Sequence, residues 1–381
     1  MTTAQAIIAR PPIQPGTLQL SLEPINLDPP AADEIFVDIW ATGICHTDVV
    51  LGSVPDGTLG IRYPKILGHE GSGIVRAVGS NVETIQPGDA VLLSFYSCGA
   101  CEQCETGHPA YCKEFASENY IGRQHSTKIH STGEKVFSRF FGQSSFASSA
   151  VVSKQGVVRA TELLADIGEL KIFAALGCGF QTGMGAIENI ARAGADDVVM
   201  ILGLGAVGMA ALMTAKIQNC RAIVAVDRVH SRLDIARSLG ATHTIDTSSP
   251  GFTTLDQALA EMLPPGVSVV IETTGVPALL KQSIKASKPR GKVVCLGIPP
   301  WDYRLSIDLT QYINSGMSIM GCIEGDCDPQ KAIPQMIQWY REGQFPIDRL
   351  VQCFKATEYE QAMAAMKDGS AIKPVLVWTE K

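Results

Sequence analysis

The feature that most constrains the fold lies near the middle of the chain. Residues 197–202 form an apolar run after one aspartate, and the motif GLGAVG follows at residues 203–208. A second apolar run, 222–226, ends at Asp227. A strand, a glycine-rich turn, a helix and a second strand that ends in an acidic residue about twenty positions on indicate a nucleotide-binding βαβ unit. The sequence therefore predicts an α/β region with a doubly wound parallel sheet.

The same motif favours one nucleotide. Gly203, Gly205 and Gly208 would let a pyrophosphate approach the backbone at the positive end of the helix. Asp227 would accept hydrogen bonds from the adenosine ribose and repel a 2′-phosphate, which favours NAD. Arg228 follows directly, and because an arginine near this position can accommodate the phosphate, NADP stays the alternative.

Hydrophobic patterning extends the sheet and predicts a second, β-rich region. Further parallel strands are predicted at 242–245, 267–272 and 292–297, so that about six strands fit between residues 195 and 322. The first third alternates apolar and polar residues between prolines, which is typical of a small all-β barrel or sandwich. The remaining predictions are a long surface loop over 113–150, helices over 169–174, 184–193 and 359–367, and a strand over 374–378.

Composition and charge exclude several function classes. The net charge of −7 and the isoelectric point near 5.6, without a basic run, argue against nucleic-acid binding and favour a small-molecule partner. Residues 198–215 carry no charge and are long enough for a membrane span, but their three glycines indicate a buried strand, turn and helix, so no membrane partner is expected. No secretory signal is recognisable at the amino terminus, and a reducing, cytoplasmic location is expected.

Four cysteines in a C-x2-C-x2-C-x7-C array form the strongest local signal; they are Cys98, Cys101, Cys104 and Cys112. Four thiolates at such short separations match a closed, tetrahedral structural zinc site. An iron–sulfur cluster or two disulfides are the alternatives. The ferredoxin pattern has a proline after its fourth cysteine, whereas Lys113 follows here, and this favours zinc.

A second set of soft ligands is spread along the chain. Cys45 lies in the string Gly43–Asp48, His69 is followed by Glu70, and Cys178 lies between glycines. Each of these residues alone is more often structural than a ligand. Together, two thiolates and one imidazole would leave one tetrahedral position open, which distinguishes a catalytic zinc from a structural one.

With these motifs in this order, the chain resembles the zinc-dependent medium-chain alcohol dehydrogenases over essentially its whole length. The resemblance implies a GroES-like, β-rich catalytic domain made of residues 1–180 and 323–381. A Rossmann domain over 181–322 would be inserted between these two segments. It further implies two zinc ions per chain, one catalytic and one structural, and a homodimer or homotetramer. Residues 316–321 are a candidate edge strand for pairing, and an interior strand is equally compatible with them.

The resemblance also implies roles for single residues. Cys45, His69 and Cys178 resemble the catalytic zinc ligands, and Glu70 resembles a carboxylate that approaches the metal during ligand exchange. Asp48 resembles the residue that orients His69. The other implied roles belong to Thr47, whose hydroxyl would take the alcohol proton, and to the cofactor contacts: His46 and Lys373 on the phosphates, Thr182 and Val207 on the nicotinamide, Ile298 and Ile319 beside it, and Arg232.

Two positions depart from the family pattern. Val50 stands where many members have a histidine that carries the proton to solvent, so the end of the proton relay is open. Ser94 stands where ethanol-active members often have a bulky aromatic residue, which would widen the substrate pocket. Ser94, Thr47 and Phe146 are the predicted pocket residues, and the run at 140–146 resembles the aryl-alcohol branch.

The expected function is therefore reversible oxidation of a primary alcohol, of aryl or benzyl type, to its aldehyde with NAD. Three alternatives stay open. They are a glutathione-dependent formaldehyde dehydrogenase, a zinc-free NADPH quinone reductase of the same fold, and a non-catalytic NAD-binding relative. The full set of zinc ligands argues against the last two.

Overall fold

The structure, a computed structural model, describes residues 2–124, 127–263 and 266–379. The chain divides into two compact units. The first comprises Met1–Cys178, Asp328–Tyr340 and Pro346–Lys381, and the second comprises Gly179–Cys327 and Arg341–Phe345. The sequence placed its domain boundaries at 180 and 322 and did not separate Arg341–Phe345. This segment joins the second unit because the Phe345 ring meets that of Phe180 edge-on at 6.3 Å.

Strands occur in both units. In chain order they are β1 (Thr2–Arg10), β2 (Gln19–Leu27), β3 (Glu34–Gly43), β4 (Lys65–Ile66), β5 (Gly71–Val78), β6 (Ala90–Leu93), β7 (Thr127–Ile129), β8 (Ser149–Ser153), β9 (Val157–Arg159), β10 (Val198–Leu202), β11 (Ala222–Asp227), β12 (His243–Asp246), β13 (Val267–Glu272), β14 (Ser287–Cys295), β15 (Ser318–Gly321), β16 (Val351–Lys355) and β17 (Lys373–Val377).

The helices in chain order are α1 (His46–Gly52), α2 (Glu102–Glu105), α3 (Leu170–Phe173), α4 (Gly179–Gly185), α5 (Ala206–Ile217), α6 (His230–Leu239), α7 (Leu255–Met262), α8 (Pro277–Ala286), α9 (Leu309–Ser315), α10 (Pro329–Arg341) and α11 (Tyr359–Asp368). In the first unit the longest helices, α10 and α11, lie near the carboxyl terminus, and in the second unit helices alternate with strands.

The second unit is built on a parallel sheet with the strand order β12-β11-β10-β13-β14-β15. All five residues of β10 are buried, as its unbroken apolar sequence requires of a central strand covered on both faces. The predicted six-stranded parallel sheet is confirmed. The strand order reverses beside β10, and in open α/β sheets ligands bind at such a point, beyond the carboxyl ends of the strands.

The first unit contains two sheets of mainly antiparallel strands. One has the order β4-β1-β2-β7, and the other has β16-β17-β3-β5-β6-β9, with β8 paired to β3. β3 pairs with β5 through Thr42 and Gly71 and with β17 through Gly43 and Val375. The ends of these three strands therefore bring the segments before Cys45 and after Glu70 together with the carboxyl-terminal strand.

One local prediction was wrong, and one helix was not predicted. Residues 113–150 are not one surface loop: 140–147 are buried, because Phe146 exchanges backbone hydrogen bonds with Ile7 and Leu67 and so joins the core. Helix α10 was missed because Pro334 interrupts its helical pattern. The uncharged stretch 198–215 divides into β10 and α5, as predicted.

The described residues contain no single helix that is long and apolar enough to cross a membrane. One bent pair of helical segments, Ile167–Gly177 and Gly179–Ala191, is together long and apolar enough, by length and composition only.

Candidate active site

Cys45 lies at the junction of β3 and α1, where the chain turns from strand to helix. Its backbone is extended, with φ −117° and ψ 154°, and it caps the amino end of α1. The Asp48 carboxylate accepts the Cys45 backbone N–H through Oδ2 at 2.9 Å. Gly43, just before it, donates its N–H to the Glu70 carbonyl at 2.9 Å. Cys45 is thus held both to its own helix and to the neighbouring strand.

Asp48 also holds His69. Its Oδ1 atom accepts the Gly68 N–H at 3.0 Å and lies 3.0 Å from His69 Nδ1, and both side chains are fully buried. Burial is the largest single effect and lowers the pKa of His69, but Asp48 and Cys45 together outweigh it and raise this pKa well above its usual value. Because Nδ1 is bound to Asp48, Nε2 is the ring nitrogen that remains for another partner.

Four ligand atoms converge beside this nitrogen. One atom from each of Cys45, His69, Glu70 and Cys178 lies within 4.8 Å of the other three. These four residues form the ligand group, or Cys45 group. His69 Nε2 is buried and has no hydrogen-bond partner among residues 2–124, 127–263 and 266–379. A hydrogen bond with Cys178 lowers the pKa of Cys45 well below the usual thiol value, against the effect of burial. Soft sulfurs and an imidazole nitrogen left without a partner fit a zinc ion.

Glu70 forms a buried ion pair with Lys373. The Lys373 ammonium lies 2.8 Å from both Glu70 oxygens and 3.2 Å from the Ile44 carbonyl oxygen. Burial raises the pKa of Glu70, whereas for Lys373 the nearby carboxylate outweighs burial and raises the pKa. A Cβ atom on Gly43 would lie 2.0 Å from Glu70 Oε2, so only glycine leaves room for this carboxylate.

The structure therefore assigns Lys373 a partner that the sequence did not predict. Its three N–H donors have three oxygen acceptors within the first unit. A contact of Lys373 with a cofactor phosphate stays a prediction, and it would require one of these hydrogen bonds to be given up.

The predicted proton acceptor lies next to the ligand group. Thr47 Oγ1 is 3.7 Å from Cys45 Sγ, and Thr47 is partly exposed. His46, the preceding residue, is exposed, and Val50 is partly exposed. The hydroxyl is thus within reach both of a substrate on the ligand group and of solvent.

Aromatic side chains surround the imidazole. The His69 ring stacks on Phe141 at 4.5 Å, with 27° between the planes, and meets Phe140 edge-on at 5.5 Å. Phe146 is fully buried, and a Cβ atom on Gly68 would lie 2.4 Å from its backbone nitrogen. Ser94 is fully buried as well. In this structure the side chains of Phe146 and Ser94 present no open surface, so their role as pocket residues stays a prediction.

The four-cysteine loop forms a separate cage. Sulfur atoms lie 4.0 Å apart for Cys98 and Cys104, 3.5 Å for Cys101 and Cys104, and 3.9 Å for Cys101 and Cys112. A disulfide needs about 2.05 Å, whereas tetrahedral zinc with bonds of about 2.3 Å places its sulfurs roughly 3.8 Å apart. The cage therefore fits a closed zinc site, and the disulfide alternative is excluded for this structure.

The surroundings act in opposite directions on the thiols of the cage. The backbone N–H of Lys113 and that of Cys104 lower the pKa of Cys101 to about 6, whereas burial raises the pKa of Cys112 to about 12. Four thiols this close cannot all ionise without a compensating positive charge. A dication would supply that charge.

The glycine-rich turn of the second unit has the predicted form. Gly203 has φ +88°, and a Cβ atom on Gly208 would lie 1.9 Å from the Gly203 carbonyl oxygen, so the helix can approach the strand only with glycine there. A Cβ atom on Gly205 would meet no described atom within 4 Å. No described side chain caps the amino end of α5, and the space beside Gly205 is open, as a pyrophosphate site requires.

Asp227 stands at the end of β11 beside this turn. Its Oδ2 atom accepts the Leu204 N–H at 2.7 Å, and its Oδ1 atom accepts those of Arg228 and Val229 at 2.7 and 2.9 Å. These bonds fix the carboxylate against the glycine-rich turn. Remaining lone pairs of the carboxylate can accept ribose hydroxyls.

The other predicted cofactor contacts all belong to the second unit. Val207 is packed close to α4, because a Cβ atom on Gly183 would lie 2.1 Å from the Val207 carbonyl oxygen. Thr182, the neighbour of Gly183, is 9% exposed. The remaining three are Ile298, which is 42% exposed, Ile319, which is partly exposed, and Arg232, whose buried Nε has no hydrogen-bond partner among the described residues.

Comparison with known proteins defines the class. A family model for the alcohol dehydrogenase GroES-like domain matches residues 31–162, and one for zinc-binding dehydrogenases matches residues 206–342. Geraniol dehydrogenase of Castellaniella defragrans is 36% identical over 362 residues, which cover 94% of each chain. The GroES-like and Rossmann architecture predicted from the sequence is confirmed.

Two solved structures extend this likeness to the full length of both chains. An alcohol dehydrogenase zinc-binding domain protein from Burkholderia ambifaria has a TM-score of 0.91 and 36% identity, and benzyl alcohol dehydrogenase from Acinetobacter calcoaceticus has 0.88 and 35%. This chain belongs to the zinc-dependent medium-chain alcohol dehydrogenase family and is an alcohol oxidoreductase.

Sequence reasoning missed two buried polar residues near the ligands. Gln143 donates to the His69 carbonyl oxygen at 2.9 Å, and Lys65 donates to the carbonyl oxygens of Tyr120 and Ile121 at 2.7 and 2.6 Å. Burial lowers the pKa of Lys65 to about 7. Gln143 could have been found from the sequence, because it is a polar residue within a run of phenylalanines. No sequence feature marks Lys65 as buried.

We expect Asp48→Asn to weaken metal binding at the Cys45 group by about ten- to a hundredfold, because the amide cannot accept from the Cys45, Gly68 and His69 N–H groups together. The measurement is metal content after titration with a chelator, and Asp302→Asn, at an exposed position, is the control. Metal in the four-cysteine cage should be unaffected. Equal retention by both variants would contradict the role assigned to Asp48.

Proposed function

We propose that the protein is a zinc-dependent dehydrogenase that interconverts a primary alcohol and its aldehyde with NAD. The carbinol carbon of this alcohol would be bonded to an aryl or an alkenyl carbon. The observation that supports this most directly is the unpartnered His69 Nε2 atom within the group of Cys45, His69, Glu70 and Cys178.

In this proposal Cys45, His69 and Cys178 hold the catalytic metal. Zinc bound there would act as a Lewis acid that lowers the pKa of the substrate hydroxyl. Lys373 neutralises Glu70 and holds it in a salt bridge, so three ligands of soft or imidazole type remain and one tetrahedral position is open to substrate. A second zinc in the four-cysteine cage would order its loop without taking part in the reaction.

In this proposal a side chain of the protein, Thr47, accepts the proton of the substrate hydroxyl. The accepting atom is Oγ1, and the partial exposure of Thr47 lets the proton leave. Asp48 keeps the imidazole of His69 in one tautomer and one orientation throughout. Val50 offers no acceptor, so the hydroxyl proton that Thr47 gives up in exchange would pass directly to water or to a hydroxyl of the bound cofactor.

NAD is the proposed hydride acceptor. The nicotinamide supplies the hydride chemistry, and the second unit supplies its binding surface. The open space at Gly205 and the free amino end of α5 suit the pyrophosphate. Asp227 is fixed at the ribose position, and its negative charge disfavours a 2′-phosphate.

The substrate class rests on the relatives. One is named for benzyl alcohol and another for geraniol, and in both alcohols the carbinol carbon is bonded to an unsaturated carbon. Ser94 in place of a bulky aromatic residue is consistent with a larger alcohol. The cysteines of the cage, which lie at non-bonded distances, are consistent with a reducing, cytoplasmic location.

We further propose that two copies associate through the edge of the parallel sheet, as a homodimer or as the dimer within a homotetramer. β15 is one edge strand of the sheet, with its end residues exposed and its two central residues partly buried. The preceding helix, α9, exposes Leu309 and Ile313 by 67% and 68%. An edge strand beside exposed apolar residues favours pairing with a second copy across a twofold axis.

A steady-state panel of alcohols tests the proposed reaction. With NAD, we expect kcat/KM for benzyl alcohol and geraniol to exceed that for ethanol by about tenfold or more, because an apolar pocket gains about 1–3 kcal/mol per buried methylene. NADP should be the poorer cofactor. Preference for ethanol or for S-hydroxymethylglutathione would reject the substrate class, and equal use of NADP would reject the assignment to Asp227.

Cys45→Ser tests the metal ligand. Turnover should fall by about a thousandfold, which corresponds to about 4 kcal/mol of lost transition-state stabilisation. Zinc content should fall from the two sites to one, while NAD binding stays near normal. Cys353→Ser, at an exposed cysteine, is the control. Normal activity in a Cys45→Ser protein with verified metal content would overturn the assignment.

Ile313→Glu tests the proposed interface. A charge on this exposed apolar face should convert the dimer to a monomer, as measured by light scattering after gel filtration. Ile13→Glu, at a residue 81% exposed in the first unit, should leave the mass unchanged. A monomeric unsubstituted protein, or a dimeric Ile313→Glu variant, would exclude this surface.

A further inference from the structure

Two buried polar side chains, Gln143 and Ser94, contact backbone groups next to the proposed metal ligands of the first unit. Gln143 is 1% exposed and Ser94 is 0% exposed. Polar groups this deeply buried are costly unless their hydrogen bonds are made. Their partners are backbone groups next to His69 and Cys178.

Gln143 uses its whole amide on these backbone groups. Oε1 accepts the Gly71 N–H at 3.0 Å, and Nε2 donates to the carbonyl oxygens of His69 at 2.9 Å and of Ser94 at 3.1 Å. Only this orientation of the amide places donors on two carbonyls and an acceptor on an N–H. The side chain therefore clamps the backbone on both sides of Glu70 and ties it to Ser94.

Ser94 continues the connection to the third ligand. Its hydroxyl donates to the Gly177 carbonyl oxygen at 2.7 Å, and its N–H donates to Gly156 at 2.8 Å. Gly177 immediately precedes Cys178. A Cβ atom on Gly177 would lie 1.9 Å from the Leu93 carbonyl oxygen, so the segment with Cys178 approaches the end of β6 as closely as glycine permits.

The backbone around Gln143 is held in an uncommon conformation. Phe141 and Ser144 have φ of +52° and +55°, and Gly142 between them has +72°. Positive φ in two residues other than glycine costs free energy and persists only where the surroundings enforce it. The Ser144 hydroxyl accepts from Phe140 N–H and donates to the Ile66 carbonyl oxygen, which keeps the turn in place. The turn aims Gln143 at His69.

We propose that Gln143 and Ser94 are positioning residues that form one continuous bridge between His69 and Cys178. The bridge fixes the separation of the imidazole and the thiolate in the ligand group. This inference rests on the proposed zinc site at Cys45, His69 and Cys178. Neither residue touches the substrate in this role; each acts through the backbone of a ligand.

The bridge gives Ser94 a different role from a pocket-widening residue, and the two roles predict different results. If Ser94 only sets pocket size, Ser94→Ala changes the ratio of KM values for large and small alcohols and leaves metal retention unchanged. If Ser94 belongs to the bridge, Ser94→Ala loosens the metal. Gln143→Met, which keeps the length and removes the amide, then has the same effect.

The test is the rate of metal release to a chromophoric chelator, measured on purified holoenzyme loaded with zinc. The absorption spectrum of the cobalt(II)-substituted protein is the second readout, because it reports ligand geometry directly. Each variant should release the metal of the Cys45 group about tenfold faster and shift the cobalt bands, while the four-cysteine cage is unaffected. The double variant should be little worse than the single ones, because both changes break one bridge.

Ser72→Ala is the matched control. Ser72 is also fully buried, and its hydroxyl donates to the Leu170 carbonyl oxygen at the same 2.7 Å. It should lose similar stability without faster metal release. If Gln143→Met does not fold, Ser94→Ala and its control decide the question alone. If the variants release metal at the rate of Ser72→Ala, the bridge is refuted and the zinc site stands. If the unsubstituted protein binds no metal at Cys45, the proposed function itself fails.

Discussion

The Asp48 carboxylate is the contact on which the site depends. It accepts the backbone N–H groups of Cys45 and Gly68 and holds His69 Nδ1, so one buried anion joins two ligands that lie on different segments. Without this anion, the imidazole would lose its fixed tautomer, and two buried N–H groups would lose their acceptor. A charged acceptor in a low-dielectric site makes stronger hydrogen bonds than a neutral one, which suits a site whose geometry must not relax.

The second buried charge pair acts on the same group from the other side. Lys373 and Glu70 form a salt bridge at 2.8 Å with almost no exposure to water. Such a pair adds little net stability, but removal of one partner leaves a buried charge uncompensated. Its value here is positional: the carboxylate is kept at a defined place beside Cys45, His69 and Cys178. Three separate contacts thus constrain the ligand group: Asp48 with His69, Lys373 with Glu70, and Gln143 with the His69 backbone.

The two units carry different kinds of chemical groups. The first unit brings sulfur and imidazole groups together at the ends of its strands and loops, and the four-cysteine cage is a separate group. The second unit has the uncapped amino end of α5, next to glycines that let strand and helix approach closely. Both arrangements put ligand-binding groups where regular secondary structure ends, because the backbone groups there are not already paired.

The sequence alone determined the local parts of this protein. The glycine-rich turn with Asp227, the cysteine cage and the string from Cys45 to Asp48 depend on residues whose spacing fixes their geometry, so their patterns could be interpreted directly. Tertiary structure decided the rest: Lys373 meets Glu70 across 303 residues, Gln143 meets His69 across 74, and Ser94 meets Gly177 across 83. No periodicity encodes such partners. They exist because folded strands bring distant segments together, and because buried polar groups must then pair with whatever lies beside them.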